Sequence, residues 1–94
     1  MEIVWSPLSL QDVEEIGDYI SKDSPETAVA FVEELIMSVE RLIEYPESGS
    51  LVQENPVFRQ LVFKKYRIIY FLEIDTISII TVLSPGRLGI LKGE

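Results

Sequence analysis

Apolar residues follow two different rhythms along this chain, spaced by three and four before residue 46 and nearly continuous after residue 57. Residues 2–5 are apolar and β-favouring and stop at Ser6-Pro7. This predicts a brief first strand and then a helix, with Ser6 as N-cap and Pro7 at the first helical position. Leu10, Val13, Ile16, Gly17 and Ile20 recur at helical spacing, while Asp12, Glu14, Glu15 and Asp18 fall mostly elsewhere. The predicted helix is therefore amphipathic, with its carboxylates in solvent. Gly17 costs roughly 1 kcal/mol relative to Ala in a helix interior, so it marks an expected close approach of another element. Ser24-Pro25-Glu26 repeats the same start, and Ala28, Phe31, Val32, Leu35, Ile36, Val39, Leu42 and Ile43 keep the period until Pro46. The short link between the two patterns predicts an antiparallel helical hairpin.

Pro46, Ser48, Gly49, Asn55 and Pro56 define a loop without periodicity. From Phe58 onward β-branched and aromatic residues dominate, and Phe58–Lys64, Tyr66–Glu73 and Thr76–Leu83 read as three strands. Turns are expected near Lys64-Lys65 and Ile74-Asp75, which makes the strands an antiparallel meander. The tail from Ser84 to Glu94 reads as irregular. The expected fold is α+β: one domain over residues 1–94, with an N-terminal short strand and a helical hairpin packed on an antiparallel β-sheet.

Composition narrows the chemistry. The 94 residues include no cysteine and no histidine. This excludes disulfides, thiolate metal sites and Ser-His or Cys-His nucleophile pairs, and no metal or cofactor is expected. No apolar run reaches the roughly 18–20 residues needed to cross a bilayer, so no membrane partner is expected and the cytoplasm is the expected location. Charge is unevenly placed. Residues 1–57 hold thirteen acidic and two basic side chains, net −11, and residues 58–94 hold six basic and three acidic, net +3, which gives −8 for the chain. A basic segment in an acidic protein is a candidate surface for an anion or an acidic partner.

Within that segment Arg59 and Arg67 lie on successive predicted strands, and Arg87 follows the last one. A tight turn at Lys64-Lys65 predicts that the two strand arginines are neighbours across a hairpin, with Arg87 joining them. Arginine suits such a cluster because its planar fork grips phosphate or carboxylate and stays charged. Arg67 interrupts an apolar run, which favours a functional role. Lys64 and Lys65 read equally as solvated charges at a sheet edge. Tyr66 carries two readings, as a stacking platform for bases or as a half-buried sheet residue. Tyr70 and Trp5 read as structural aromatics.

The ordered set Asp12-Val13-Glu14-Glu15-Ile16, Tyr19-Ile20, Pro25 to Phe31, Tyr45-Pro46-Glu47-Ser48-Gly49, Phe58-Arg59-Gln60-Leu61, Tyr66-Arg67-Ile68-Ile69-Tyr70, and Val82-Leu83 with Arg87 behind it resembles the RelE/ParE superfamily of toxins from type II toxin-antitoxin systems. The resemblance implies a growth inhibitor of the plasmid-stabilisation type, neutralised by a cognate antitoxin. RelE-like members are messenger RNA interferases acting at the ribosome. By that resemblance Arg67, Arg87 and Arg59 are candidate catalytic residues that stabilise developing charge on a phosphate, while Lys64, Lys65 and Tyr66 are candidates for target or phosphate binding.

Two departures bear on the branch. The tail after Arg87, Leu88-Gly89-Ile90-Leu91-Lys92-Gly93-Glu94, lacks the tyrosine or other acid-base group that RelE-like nucleases usually carry. Ser84-Pro85-Gly86-Arg87 also differs from the family's His-Gly-Ala-Arg type of ending. The long hairpin and the absent tyrosine favour the ParE-like branch, whose members resemble inhibitors of DNA gyrase. A ribosome-dependent messenger RNA endonuclease and a non-toxic binding module retaining the fold are the alternatives.

Overall fold

A computed structural model of the chain describes residues 1–85. The elements run β1 (Glu2–Trp5), α1 (Pro7–Ser21), α2 (Pro25–Glu40), a single 3-10 turn (Arg41–Ile43), β2 (Ser50–Leu51), β3 (Arg59–Phe63), β4 (Tyr66–Leu72) and β5 (Thr76–Leu83). Both predicted N-caps form. Ser6 Oγ accepts from Ser9 N at 3.0 Å and Ser24 Oγ from Thr27 N at 3.2 Å, each worth about 1 kcal/mol to its helix. Gly17 marks the helix contact that its cost implied, since a Cβ there would stand 3.3 Å from Val32 Cγ2.

The five strands form one sheet in the order β1-β5-β4-β3-β2. The antiparallel expectation applies to β2 through β5, and β1 adds a parallel strand beside β5. The hairpin returns the chain across the sheet, so β1 and β5 enter from the same end. The segment expected to be featureless loop contains β2, whose Ser50 and Leu51 pair with Gln60 and Arg59. Val52 is buried behind it, with its N–H donating to the Phe58 carbonyl at 3.0 Å.

The main core lies between hairpin and sheet, where Ile16, Leu35, Val39 and Leu42 meet Ile68, Tyr70, Ile77, Ile79 and Val82. A second cluster of Val52, Ile69 and Leu83 with Phe58 and Ile80 covers part of the opposite face. Burial on both faces is why β4 reads as continuous apolar residues instead of alternating ones.

One expectation about α1 is overturned. Leu10, assigned to the buried face, is 56% exposed, whereas Asp12, assigned to solvent, is 6% exposed and Ser9 is fully buried. The cause is a bulge in β5. Thr81 pairs with Ile69 and Ile79 with Tyr70, leaving Ile80 without a partner position. Beyond Trp5 no β1 residue pairs with β5, and polar groups of α1 take over that role. Ser6 Oγ donates to the Ile80 carbonyl at 2.7 Å, and Asp12 Oδ2 accepts from Val82 N at 2.9 Å and from Thr81 Oγ1. Buried backbone groups need partners, so this stripe of the helix is polar where it crosses the bulge.

Candidate functional site

The two strand arginines do not converge. Phe63 and Tyr66 close the hairpin, which pairs Arg59 with Tyr70 and Val62 with Arg67. Arg59 and Val62 lie three positions apart on β3, so side-chain alternation sends Arg59 and Arg67 to opposite faces. The neighbourhood expected from the turn is therefore corrected: a two-residue turn already determines this parity.

Arg59 is held by a loop. Its Nη1 donates to the Gly49 carbonyl at 2.8 Å and to the Glu47 carbonyl at 3.3 Å. Tyr70 Oη accepts from Gly49 N at 3.0 Å and donates to the Pro46 carbonyl at 2.8 Å. Burial pushes the Tyr70 phenol above its ordinary value of 10.0, against the lowering effects of the Gly49 N–H and the Arg59 charge. A side chain at position 49 has no room, because a Cβ would meet Gln60 O and Tyr70 Oη, each at 2.6 Å. Arg59 and Tyr70 thus fasten the 46–50 segment to the sheet.

Arg67 stands on the face away from the hairpin, half-buried, between Val62 and Leu83 of the neighbouring strands. Its Nε donates to Gln60 Oε1 at 2.6 Å. Gln60 and Val62 share that face with it by alternation. The guanidinium is oriented by Gln60, and among the described residues its other donors make no hydrogen bond.

Lys64 and Lys65 form the hairpin turn, both with positive φ, 46° and 74°, as a type I′ turn requires. Lys64 reaches back to α2, where its Nζ lies 3.1 Å from Glu34 Oε1 and 5.7 Å and 5.5 Å from the ring centres of Phe31 and Phe63. It staples the turn to the hairpin, whereas Lys65 is exposed. Tyr66 packs edge-on against Phe31, with ring centres 5.2 Å apart, and borders a groove of about 620 Å³ along α1 with Asp12, Glu15 and Tyr19. Its side chain is half-buried in the sheet. Arg87 lies outside the described residues. Asp12, expected in solvent, is instead buried, where it accepts from Val82 N and Thr81 Oγ1.

A family model described as "ParE toxin of type II toxin-antitoxin system, parDE" matches residues 3–88. This chain belongs to the ParE toxin family. Toxin RelE2 of Caulobacter vibrioides (strain ATCC 19089 / CIP 103742 / CB 15) is 32% identical over 88 residues, covering 93% of this chain and 98% of that one. Putative toxin Y4kP of Sinorhizobium fredii (strain NBRC 101917 / NGR234) is 43% identical over 47 residues, which is 50% of this chain and 49% of the relative. A chain of the chromosomal ParDE TA system from P. aeruginosa has the same fold, with a TM-score of 0.78 at 20% identity, covering 89% of this chain and 95% of the other. Family membership makes the chain the toxin of a type II system with an antitoxin partner. Among the described residues no helix is long and apolar enough to cross a membrane.

Proposed function

We propose that this ParE-family toxin stops growth in the cytoplasm by binding a protein target, DNA gyrase, and that it does not cut messenger RNA. The observation that carries this reading is the separation of Arg59 from Arg67. Gripping a scissile phosphate and stabilising its developing charge calls for cations that converge on one point. Arg59 is engaged with the Gly49 and Glu47 carbonyls on the other face, which leaves Arg67 as the arginine of β3 and β4 on the outer face. The chain also has no histidine, and it has no tyrosine after Tyr70, so the usual acid-base groups are missing where a nuclease of this superfamily carries one. Arg67, oriented by Gln60, with exposed Lys65 at the turn, suits an acidic protein surface.

The name of the Caulobacter relative, Toxin RelE2, favours a second reading, a RelE-like endonuclease acting on ribosome-bound message. Mapping the ends of cellular messages after induction separates the two. Gyrase inhibition predicts no new ends within codons. Cleavage at the decoding site that disappears with Arg67→Ala overturns the proposal, and full expression without growth arrest points to a non-toxic module.

A further inference from the structure

Among the described residues Arg67 makes one side-chain hydrogen bond, from Nε to Gln60 Oε1 at 2.6 Å. The residues opposite it, Val62 on β3 and Leu83 on β5, are apolar. Gln60 stands opposite Ile69, two positions along, so Gln60 and Arg67 are diagonal neighbours on the outer face, a separation that long side chains bridge.

The direction of the amide follows from its chemistry. A guanidinium only donates, so the Gln60 carbonyl oxygen must face it and Gln60 Nε2 must point the other way. There Ser50 Oγ, from the residue opposite on β2, accepts from Nε2 at a long 3.5 Å. Ser50 is in turn placed by the residue before it, because Arg59 and Tyr70 hold the Gly49 carbonyl and N–H from the other face. A row of polar groups therefore crosses three strands and ends on Arg67.

The identity of the orienting group is informative. Glutamate at position 60 would hold Arg67 by ion pair as well as by hydrogen bond, and bidentately, and the chain is rich in carboxylates, with sixteen acidic side chains. Among the described residues the one ion pair is nevertheless Lys64 with Glu34. An amide orients the guanidinium without neutralising it. A purely structural arginine is better served by the carboxylate, and an arginine that meets an anion from outside by the amide. The contact also selects an edge of the guanidinium. An anion takes the planar fork either side-on, through Nε and one Nη, or end-on, through both Nη groups. Gln60 occupies Nε, which leaves the end-on fork.

Resting on the reading of Arg67 as a target contact, we propose that Gln60 is a positioning residue, steadied by Ser50, that presents both Nη groups of Arg67 with their charge intact to a carboxylate side chain of the protein target. Val62, beside Arg67 on that face, is 63% exposed. It offers an apolar contact to the residues that flank such a carboxylate, which a phosphate backbone does not need.

The test titrates purified gyrase on relaxed plasmid with the full chain and its Gln60→Glu, Gln60→Met, Ser50→Ala, Arg67→Lys and Arg67→Ala variants, and melts each protein. Gln60→Glu gains an ion pair, so it should melt at or above the wild-type temperature, yet inhibit about tenfold or more weakly because its own carboxylate takes the target's place. A merely structural Gln60 cannot move stability and inhibition in opposite directions. Arg67→Lys keeps the charge without the fork and should also weaken inhibition. Gln60→Met should fall between Gln60→Glu and the wild type, and Ser50→Ala should weaken inhibition least. Gln60→Glu that inhibits like the wild type, with Arg67→Ala inactive, overturns the positioning role and leaves the target reading intact. A wild type that does not inhibit gyrase overturns the target reading instead, and growth arrest by the same variants then decides the role of Gln60: arrest lost in Gln60→Glu supports it, and equal arrest overturns it. Messenger cleavage by the wild type that Gln60→Glu abolishes assigns the fork to a phosphate and overturns the carboxylate.

Discussion

Arg59 and Tyr70 stand opposite each other on β3 and β4 and hold one glycine from both sides, with Arg59 Nη1 on the Gly49 carbonyl at 2.8 Å and Tyr70 Oη on the Gly49 N–H at 3.0 Å. Tyr70→Phe keeps the ring and deletes two hydrogen bonds in a fully buried place. The loss should be about 2–3 kcal/mol of stability, because the Gly49 N–H is left without a partner. Chemical denaturation of the two proteins measures it.

The same phenol sets an alkaline limit. Its folded pKa lies above its ordinary value of 10.0, so the folded state keeps the proton while the unfolded chain loses it. This contribution to stability is constant below pH 10 and is lost as pH rises through the folded value. Unfolding curves between pH 9 and 11 should show a decline that is flatter in Tyr70→Phe, and parallel curves would contradict the assignment.

Arg59 and Arg67 should separate stability from toxicity. Arg59→Ala releases the 46–50 segment and should cost about 1–3 kcal/mol. Arg67→Ala loses a partly exposed contact to Gln60 and should leave the melting temperature nearly unchanged while abolishing growth arrest. Thermal melts paired with growth curves distinguish the two roles, and equal toxicity of the Arg67 variant and the wild type would exclude Arg67 from the target surface.

Asp12 anchors the bulge of β5. Asp12→Ala leaves Val82 N and Thr81 Oγ1 without their acceptor, at a cost of roughly 2–3 kcal/mol, and Asp12→Asn, which keeps an acceptor oxygen, should cost less. Denaturant midpoints for both variants check the order.

Lys65 is held at φ 74°, where an L side chain is disfavoured by roughly 1–2 kcal/mol. Lys65→Gly should stabilise the chain by up to about 1 kcal/mol, because glycine offsets part of that gain by its greater freedom when unfolded. The same change at Lys64 should stabilise less, since it also removes the ion pair to Glu34.

The caps at Ser6 and Ser24 and the strands from Arg59 to Leu83 were legible because each rests on local chemistry: a hydroxyl before a proline, or a run of β-branched and aromatic residues between turn formers. β2 was not, since two residues carry no period and Ser50-Leu51 pairs only because β3 is already present. Asp12 was hidden for a different reason. A carboxylate on a helix normally seeks water, and only the bulge at Ile80 creates the buried donors that reverse the preference. The arginines were readable in principle, because a two-residue turn pairs Val62 with Arg67 and so turns Arg59 to the other face. Their chemistry as a residue type pointed to a cluster, and the register decides against it.

Supercoiling of relaxed plasmid by purified DNA gyrase, titrated with this protein and with its Arg67→Ala variant, tests the central claim most directly. The account predicts that the wild type blocks supercoiling in a dose-dependent way and that the variant does not. Supercoiling at the full rate with folded wild-type protein in excess, alongside messenger cleavage by the same preparation on ribosomes, would contradict it.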